Sequence, residues 1–219
     1  MTPAVEKPVG LTPVVFNQRM LRYYDRLLEF TCNRVWHCPI RRTLEHYRRH
    51  LSPNHLEVGV GTGYFLEYSH LPGPEPRLAL LDLSPHCLER TATRLRRYDP
   101  EVYRANALAP IELSVRRFDS IALNYVLHCM PGALREKGIA FANLKPLLNA
   151  SGVLFGSTVL RHGVRCDLGA RAFMRLYNAR KIFCNLEDNL ADLRQALEAT
   201  FRNVQIEVIG CVAQFSGRA

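Results

Sequence analysis

The stretch HLEVGVGTGYFL, from His55 to Leu66, limits this chain more than any other part of it. A short apolar run feeds into three glycines at every second position. Glycine gives up more backbone freedom on folding than any other residue, so such a cluster persists where φ must be positive or where backbone must lie close to a ligand. The run before it reads as a buried strand and the residues after it as a helix. A glycine-rich strand-to-helix turn lies at the carboxyl edge of an α/β sheet, where such folds take their ligands. The fingerprint G-x-G-x-x-G fails, because Tyr64 stands where the third glycine belongs, and no Gly-Lys-Ser/Thr follows for a phosphate loop. With no phosphates to cradle, the carboxylate of Glu57 is tolerable there, and it would attract an ammonium or sulfonium. Asp82 follows about 20 positions on, at the end of a second apolar run, where an acid can accept hydrogen bonds from both hydroxyls of a ribose.

The rest of the chain keeps the same rhythm. Strands are predicted at 55–60, 77–83, 101–108, 118–128 and 152–160, the last apolar on both faces as an interior parallel strand should be. Helices are predicted at 62–71, at 84–98 with a Ser84-Pro85 start, at 132–148, at 167–183 and at 186–201. The end, 203–219, alternates around Gly210 as a hairpin. Strands alternating with helices predict a doubly wound, mainly parallel α/β sheet. Two closing strands in tight succession require an antiparallel member. Residues 1–15, with Pro3, Pro8 and Pro13, are expected to be a flexible tail. Residues 16–50 read as helix, broken in two by Pro39. The chain is thus expected to be a single domain over 16–219, with front helices at 16–50, a core at 55–219 and a helical insertion at 161–183.

With 219 residues, 47% of them hydrophobic, the chain has material for one such domain. No apolar run approaches the roughly 18 residues of a membrane span. The start lacks a basic-then-apolar signal pattern, and the seven cysteines are scattered with no C-x-x-C pair. That argues against a disulfide framework or a zinc site and for a reducing compartment, so a cytoplasmic location is expected. The net charge of +9 raises the question of nucleic acid. Its arginine pairs are dispersed, however, which reads as a solvated basic surface.

In this order, Glu57-x-Gly59-x-Gly61-x-Gly63, Asp82, Asn106-Ala107, FDSIALNYVLH and LKPLLNASGVLFGSTVL resemble the class I S-adenosylmethionine-dependent methyltransferases, in particular their small-molecule branch. The resemblance covers 55–219 and, more loosely, 16–50. It implies a seven-stranded Rossmann-like sheet in the order 3-2-1-4-5-7-6 with an antiparallel seventh strand, and S-adenosyl-L-methionine as cofactor. It also implies methyl transfer to a small, largely apolar or aromatic metabolite, at oxygen or nitrogen, with carbon less expected. Carried onto this chain, Gly59, Gly61, Thr62, Gly63 and Tyr64 would pass the methionine part of the cofactor, with Glu57 near its ammonium. Asp82 would hold the ribose, and Leu83 and Ser84 would flank the adenine. Asn106-Ala107 stands at the adenine contact, where the family often has Asp. Asn124 and Leu127 would line the methionine side. Tyr24-Asp25 matches a Tyr-Asp pair on the family's N-terminal lid helix, with Tyr24 over the cofactor carboxylate.

The acceptor side is read from chemistry. His128, just past the fourth strand, is either a general base for a hydroxyl nucleophile or a histidine bracing the loop HCMPG. Tyr23 and Trp36 on the front helices, and Tyr177 and Phe183 in the insertion, either line an apolar substrate pocket or pack as core. The two segments are expected to meet above the cofactor as a mobile lid. An RNA-modifying methyltransferase is the alternative. Its amino-methylating signature is missing at Asn124-Tyr125-Val126-Leu127, and the cytosine-type Pro-Cys does not match Cys129-Met130-Pro131. A metal-dependent enzyme would need an acid cluster past the fifth strand, where only Asp167 appears. The partners expected are therefore a small-molecule methyl acceptor, with no nucleic acid, membrane or metal, and a monomer or homodimer.

Overall fold

The computed structural model describes residues 18–113 and 115–219, with side chains from Tyr23 onward; the tail expected at 1–15 lies outside the described residues. Seven strands form one sheet: β1 (Asn54–Val58), β2 (Arg77–Asp82), β3 (Glu101–Arg104), β4 (Phe118–Asn124), β5 (Leu148–Val159), β6 (Arg202–Ile209) and β7 (Val212–Arg218). Their order is β3-β2-β1-β4-β5-β7-β6. The five strands from β1 to β5 pair in parallel, and β7 runs antiparallel to both β5 and β6. Every residue of β1 is buried, as a central strand covered on both faces requires, whereas edge strand β3 alternates half-buried with exposed.

The helices are α1 (Gln18–Phe30), α2 (Ile40–His50), α3 (Tyr64–Ser69), α4 (Pro85–Arg94), α5 (Leu134–Lys137), α6 (Ile139–Leu144), α7 (Leu168–Ala179) and α8 (Leu190–Thr200). Their starts follow the side chains available. Ser84 caps α4 by accepting from the Cys87 N–H, Asp167 caps α7 through Ala170 and Asn189 caps α8 through Asp192. Pro39 divides α1 from α2 as expected, after a wide helical turn at Thr31–Val35.

Several boundaries differ from the sequence pattern, among them the start of β5 at Leu148 and the end of α7 at Ala179, and three have a visible cause. The helix expected over 132–148 is two short helices, because Gly138 between them packs against α8, where a Cβ would stand 2.7 Å from that of Ala196. Strand β4 stops at Asn124, since Tyr125 turns into the left-handed region at φ 55. Strand β3 ends at Arg104, and Asn106 closes the following turn by accepting from the Leu108 N–H at 3.0 Å.

Two apolar cores sandwich the sheet. One carries Leu28, Trp36, Tyr47, Phe65 and Leu88 over Leu80 and Phe155. The other packs Leu134, Phe141 and Leu197 against Leu56, Ile121 and Phe215. Helix α2, expected among the front helices, is part of the first core. Tyr47 is fully buried, and His46 hydrogen-bonds the Phe215 carbonyl at 3.1 Å.

Candidate cofactor and acceptor site

The carboxyl ends of β1, β2 and β4 open into a cavity of about 370 Å³. The glycine turn forms its floor, and Gly59, Gly61 and Gly63 all take positive φ (70, 54 and 73). Their reasons differ. A Cβ on Gly59 would collide with Val126, and one on Gly63 would stand 2.9 Å from Thr91, so packing excludes both. A Cβ on Gly61 would meet nothing within 4 Å, and Gly61 lines the cavity. Two of the glycines fit the protein to itself, and the third leaves room.

Glu57 and Asp82 bracket this turn. Glu57 is buried, and its Oε2 accepts from Tyr47 Oη at 2.5 Å and faces His55 Nε2 at 3.1 Å. Asp82 accepts from the Ser84 N–H at 2.8 Å. Its burial raises its pKa, against the opposing pull of the backbone N–H groups of Ser84, Gly61, Val60 and Leu83. A carboxylate short of water is stabilised by further hydroxyl donors, such as a ribose offers.

Leu83, Ser84, Asn106 and Ala107 line the cavity's outer end. Asn124 lines it at the end of β4. Its Oδ1 accepts from Ser157 Oγ at 2.9 Å, while its buried Nδ2 has no hydrogen-bond partner among the described residues. An orphaned buried donor beside a cavity is satisfied when a ligand supplies an acceptor. The void before Gly61, the two acids and this free amide fit a cationic nucleoside with an amino-acid tail.

Helix α1 is latched onto the glycine turn. Thr62 Oγ1 donates to Asp25 Oδ1 at 2.5 Å, and Arg94 joins Asp25 Oδ2 at 2.8 Å and the Thr62 carbonyl at 3.1 Å. Tyr64 Oη donates to Glu29 at 2.8 Å. This brings Tyr24 into the cavity wall, where burial raises its pKa and keeps the phenol neutral. The Arg94 and Glu29 contacts are not legible in the sequence, because they join elements far apart along the chain. The Asp25 contact accompanies the Tyr24-Asp25 pair.

On the acceptor side, Trp36, Phe173, Tyr177 and Phe183 form one aromatic cluster. Trp36 meets Phe173 at 5.6 Å and Phe183 at 5.7 Å, and Tyr177 meets Phe183 at 5.1 Å between ring centres. His37 from the front segment also bonds Asp167 at the start of α7, at 2.7 Å. The front segment and the insertion therefore do meet.

Six expected site residues do not line the cavity: Trp36, Tyr177 and Phe183 pack in the cluster just described, and Tyr23, Leu127 and His128 lie elsewhere. Tyr23 is 64% exposed, one position along α1 from Tyr24 and turned to solvent. Leu127 is buried in the second core with Leu134 and Phe141. The turn that carries it gives the cavity Val126, Cys129 and Met130 instead. His128 is not a cavity residue either. Its Nδ1 accepts from the Val159 N–H at 3.3 Å, its carbonyl accepts from the Cys184 N–H at 2.7 Å and its ring lies 4.3 Å from that of Phe183. Burial, helped by Lys137, lowers its pKa to about 3, so the ring is neutral, and these contacts are those of the brace, one of the two roles read from the sequence. Burial pushes Cys129 up to about 12, so it stays a thiol at neutral pH.

Sheet order, reversed seventh strand and acid-bracketed glycine turn together define a Rossmann-like domain of the methyltransferase type. The comparisons agree. A family model described as a methyltransferase domain matches residues 56–154. The chain is 40% identical over 198 residues to the demethylluteothin O-methyltransferase of Streptomyces thioluteus, covering 90% of this chain and 86% of that one. It is also 40% identical over 210 residues to the methyltransferase ctvB of Aspergillus terreus, covering 93% and 92%. A solved structure from Thermotoga maritima, titled a SAM-dependent methyltransferase and "possible histamine N-methyltransferase", superposes with a TM-score of 0.64 at 16% identity, over 91% of this chain and 96% of that one. The protein belongs to the class I small-molecule methyltransferases and uses S-adenosyl-L-methionine. Among the described residues no helix is long and apolar enough to cross a membrane.

Proposed function

We propose that the protein methylates an oxygen of a small, largely apolar or aromatic metabolite that ionises without help, such as a phenol or an enol. The observation that carries this reading is the apolar wall that Tyr24, Leu28 and Phe65 give the cavity, backed in the same core by the aromatic cluster of Trp36, Phe173, Tyr177 and Phe183. An apolar acceptor needs a concave hydrophobic wall, and Tyr24, Leu28 and Phe65 line one. The name of the Streptomyces relative supports oxygen as the target atom.

Bound S-adenosylmethionine supplies an electrophilic methyl group. In this reading Glu57 meets its ammonium, Asp82 its ribose and Asn124 Nδ2 an acceptor on the methionine side. Leu83, Ser84, Asn106 and Ala107 hold the adenine. Tyr24 closes the cavity from α1 and keeps water from the reacting atoms. Methyl transfer is an in-line displacement, and holding the two partners at near-attack distance accounts for most of its acceleration. His128 stands outside the cavity, so in this reading positioning carries the reaction and the acceptor brings its own acidity. The test is a methyl-label transfer assay against a panel of phenols, enols, amines and bulk tRNA. Label on phenols or enols is expected. Label on tRNA or on amines alone would overturn the reading.

A further inference from the structure

Every hydrogen bond recorded on the Glu57 carboxylate among the described residues falls on one oxygen. Oε2 takes Tyr47 Oη at 2.5 Å and His55 Nε2 at 3.1 Å, while no hydrogen bond reaches Oε1. Glu57 is 4% exposed, and what little it exposes belongs to a residue lining the cavity. Both partners are fully buried.

Proton bookkeeping assigns the roles. A carboxylate oxygen only accepts, so Tyr47 Oη donates to it, and His55 Nε2 must also carry a proton to make its contact. At the other side of the ring, His55 Nδ1 lies 2.7 Å from Ser120 Oγ, which lies 2.7 Å from Ser52 Oγ. Ser52 in turn donates to the Asn54 carbonyl at 2.9 Å. The hydroxyls satisfy Nδ1 in either protonation state, so this backing keeps Nε2 aimed at Glu57. Tyr47 Oη also lies 3.1 Å from His55 Nε2, so the two grip Oε2 as a pair, and the Tyr47 ring is stacked on Phe65 at 5.7 Å and edge-on to Phe155 at 5.3 Å. Burial and the Glu57 charge raise the Tyr47 pKa well above its usual value, so the phenol keeps the proton it donates.

A buried carboxylate is costly unless its charge is answered, and two donors on one oxygen leave the other oxygen unanswered. We propose that Tyr47 and His55 are positioning residues for cofactor recognition: they grip Oε2 from inside the core and leave Oε1 to bind the cofactor's ammonium. The proposal rests on S-adenosylmethionine occupying this cavity as described above. It makes α2 a working part of the cofactor site, though Tyr47 does not line the cavity.

Two ligands separate the roles. S-adenosylhomocysteine carries the amino-acid tail, and 5′-methylthioadenosine has the same nucleoside without it. Calorimetry on the full chain compares the parent with Tyr47→Phe, which keeps the ring and loses the hydroxyl. The variant should bind S-adenosylhomocysteine about 10- to 100-fold more weakly, the worth of a hydrogen bond to a charged group, and methylthioadenosine within twofold of the parent. Combining Tyr47→Phe with Glu57→Gln should add little to Glu57→Gln alone, because the two act as one unit. Unchanged S-adenosylhomocysteine binding, or equal weakening of both ligands, would overturn the proposal. Failure of the parent to bind either ligand would instead sink the cofactor assignment. If Tyr47→Phe does not fold, His55→Gln passes through the same pair of titrations with the same criteria.

Discussion

The cofactor side and the cover side of this molecule are built by different means. On the cofactor side, Glu57, the glycine turn, Asp82, Ser84 and Asn124 all sit within a residue or two of a strand's carboxyl end, and parallel pairing alone brings them together. The cover is assembled from α1, the turn after it, α7 and the loop to Phe183, joined by ring contacts and by His37 to Asp167. The first arrangement follows from sheet topology and depends little on particular side-chain packing. The second depends on packing throughout.

Substitutions should separate the two sides. The largest effect is expected from Trp36→Ala. Removing a fully buried tryptophan costs about 3–5 kcal/mol, so urea unfolding should shift strongly while cofactor affinity in the surviving folded fraction changes little. A large loss of cofactor affinity with unchanged stability would mean that Trp36 belongs to the cofactor side. Asp82→Ala should show the converse. Loss of a charge-assisted acceptor weakens S-adenosylhomocysteine binding by about 1.5–3 kcal/mol in calorimetry, with a small change in unfolding midpoint.

Acid should act on the cover through His128. Its pKa falls from about 6.5 in the unfolded chain to about 3 in the fold, so it contributes stability that is full above pH 6.5 and lost as pH falls toward 3. His46, lowered to about 4 by burial, adds in the same direction. Each pH unit below 6.5 should cost about 1.4 kcal/mol per histidine, read from urea midpoints between pH 7.5 and pH 5. His128→Gln should flatten that slope. Identical slopes in parent and variant would show that the brace carries no such linkage. The smallest effect is expected at Tyr23→Ala, within about 0.5 kcal/mol in stability, because an exposed ring on α1 supports neither side. A clear fall in turnover there would place the acceptor on the outer face of α1.

Legibility in the sequence followed the same division. The glycine turn, Glu57, Asp82 and the closing hairpin could be read because each is a local backbone device with its own chemistry. Leu127 and His128 could not be placed correctly. Within the tight turn after β4, a shift of one residue moves a side chain from the cavity to the core, and Tyr125 at φ 55 sets that shift. Tyr23 and Tyr24 differ by one step around a helix. The pattern showed two aromatic residues, and only the docking of Asp25 onto Thr62 and Arg94 showed which of them faces inward.

By itself the sequence determined the alternation of strands and helices, the antiparallel end of the sheet and the acid-bracketed glycine turn. Periodicity, turn chemistry and charge act over a few residues and survive any detail of packing. Only the tertiary structure decided that α2 packs into the core, that Tyr47 and His55 hydrogen-bond Glu57 from inside the core, and that His128 packs against Phe183 and accepts from the Cys184 N–H. Each of these depends on contacts between elements that fold next to one another, whose geometry no local pattern encodes.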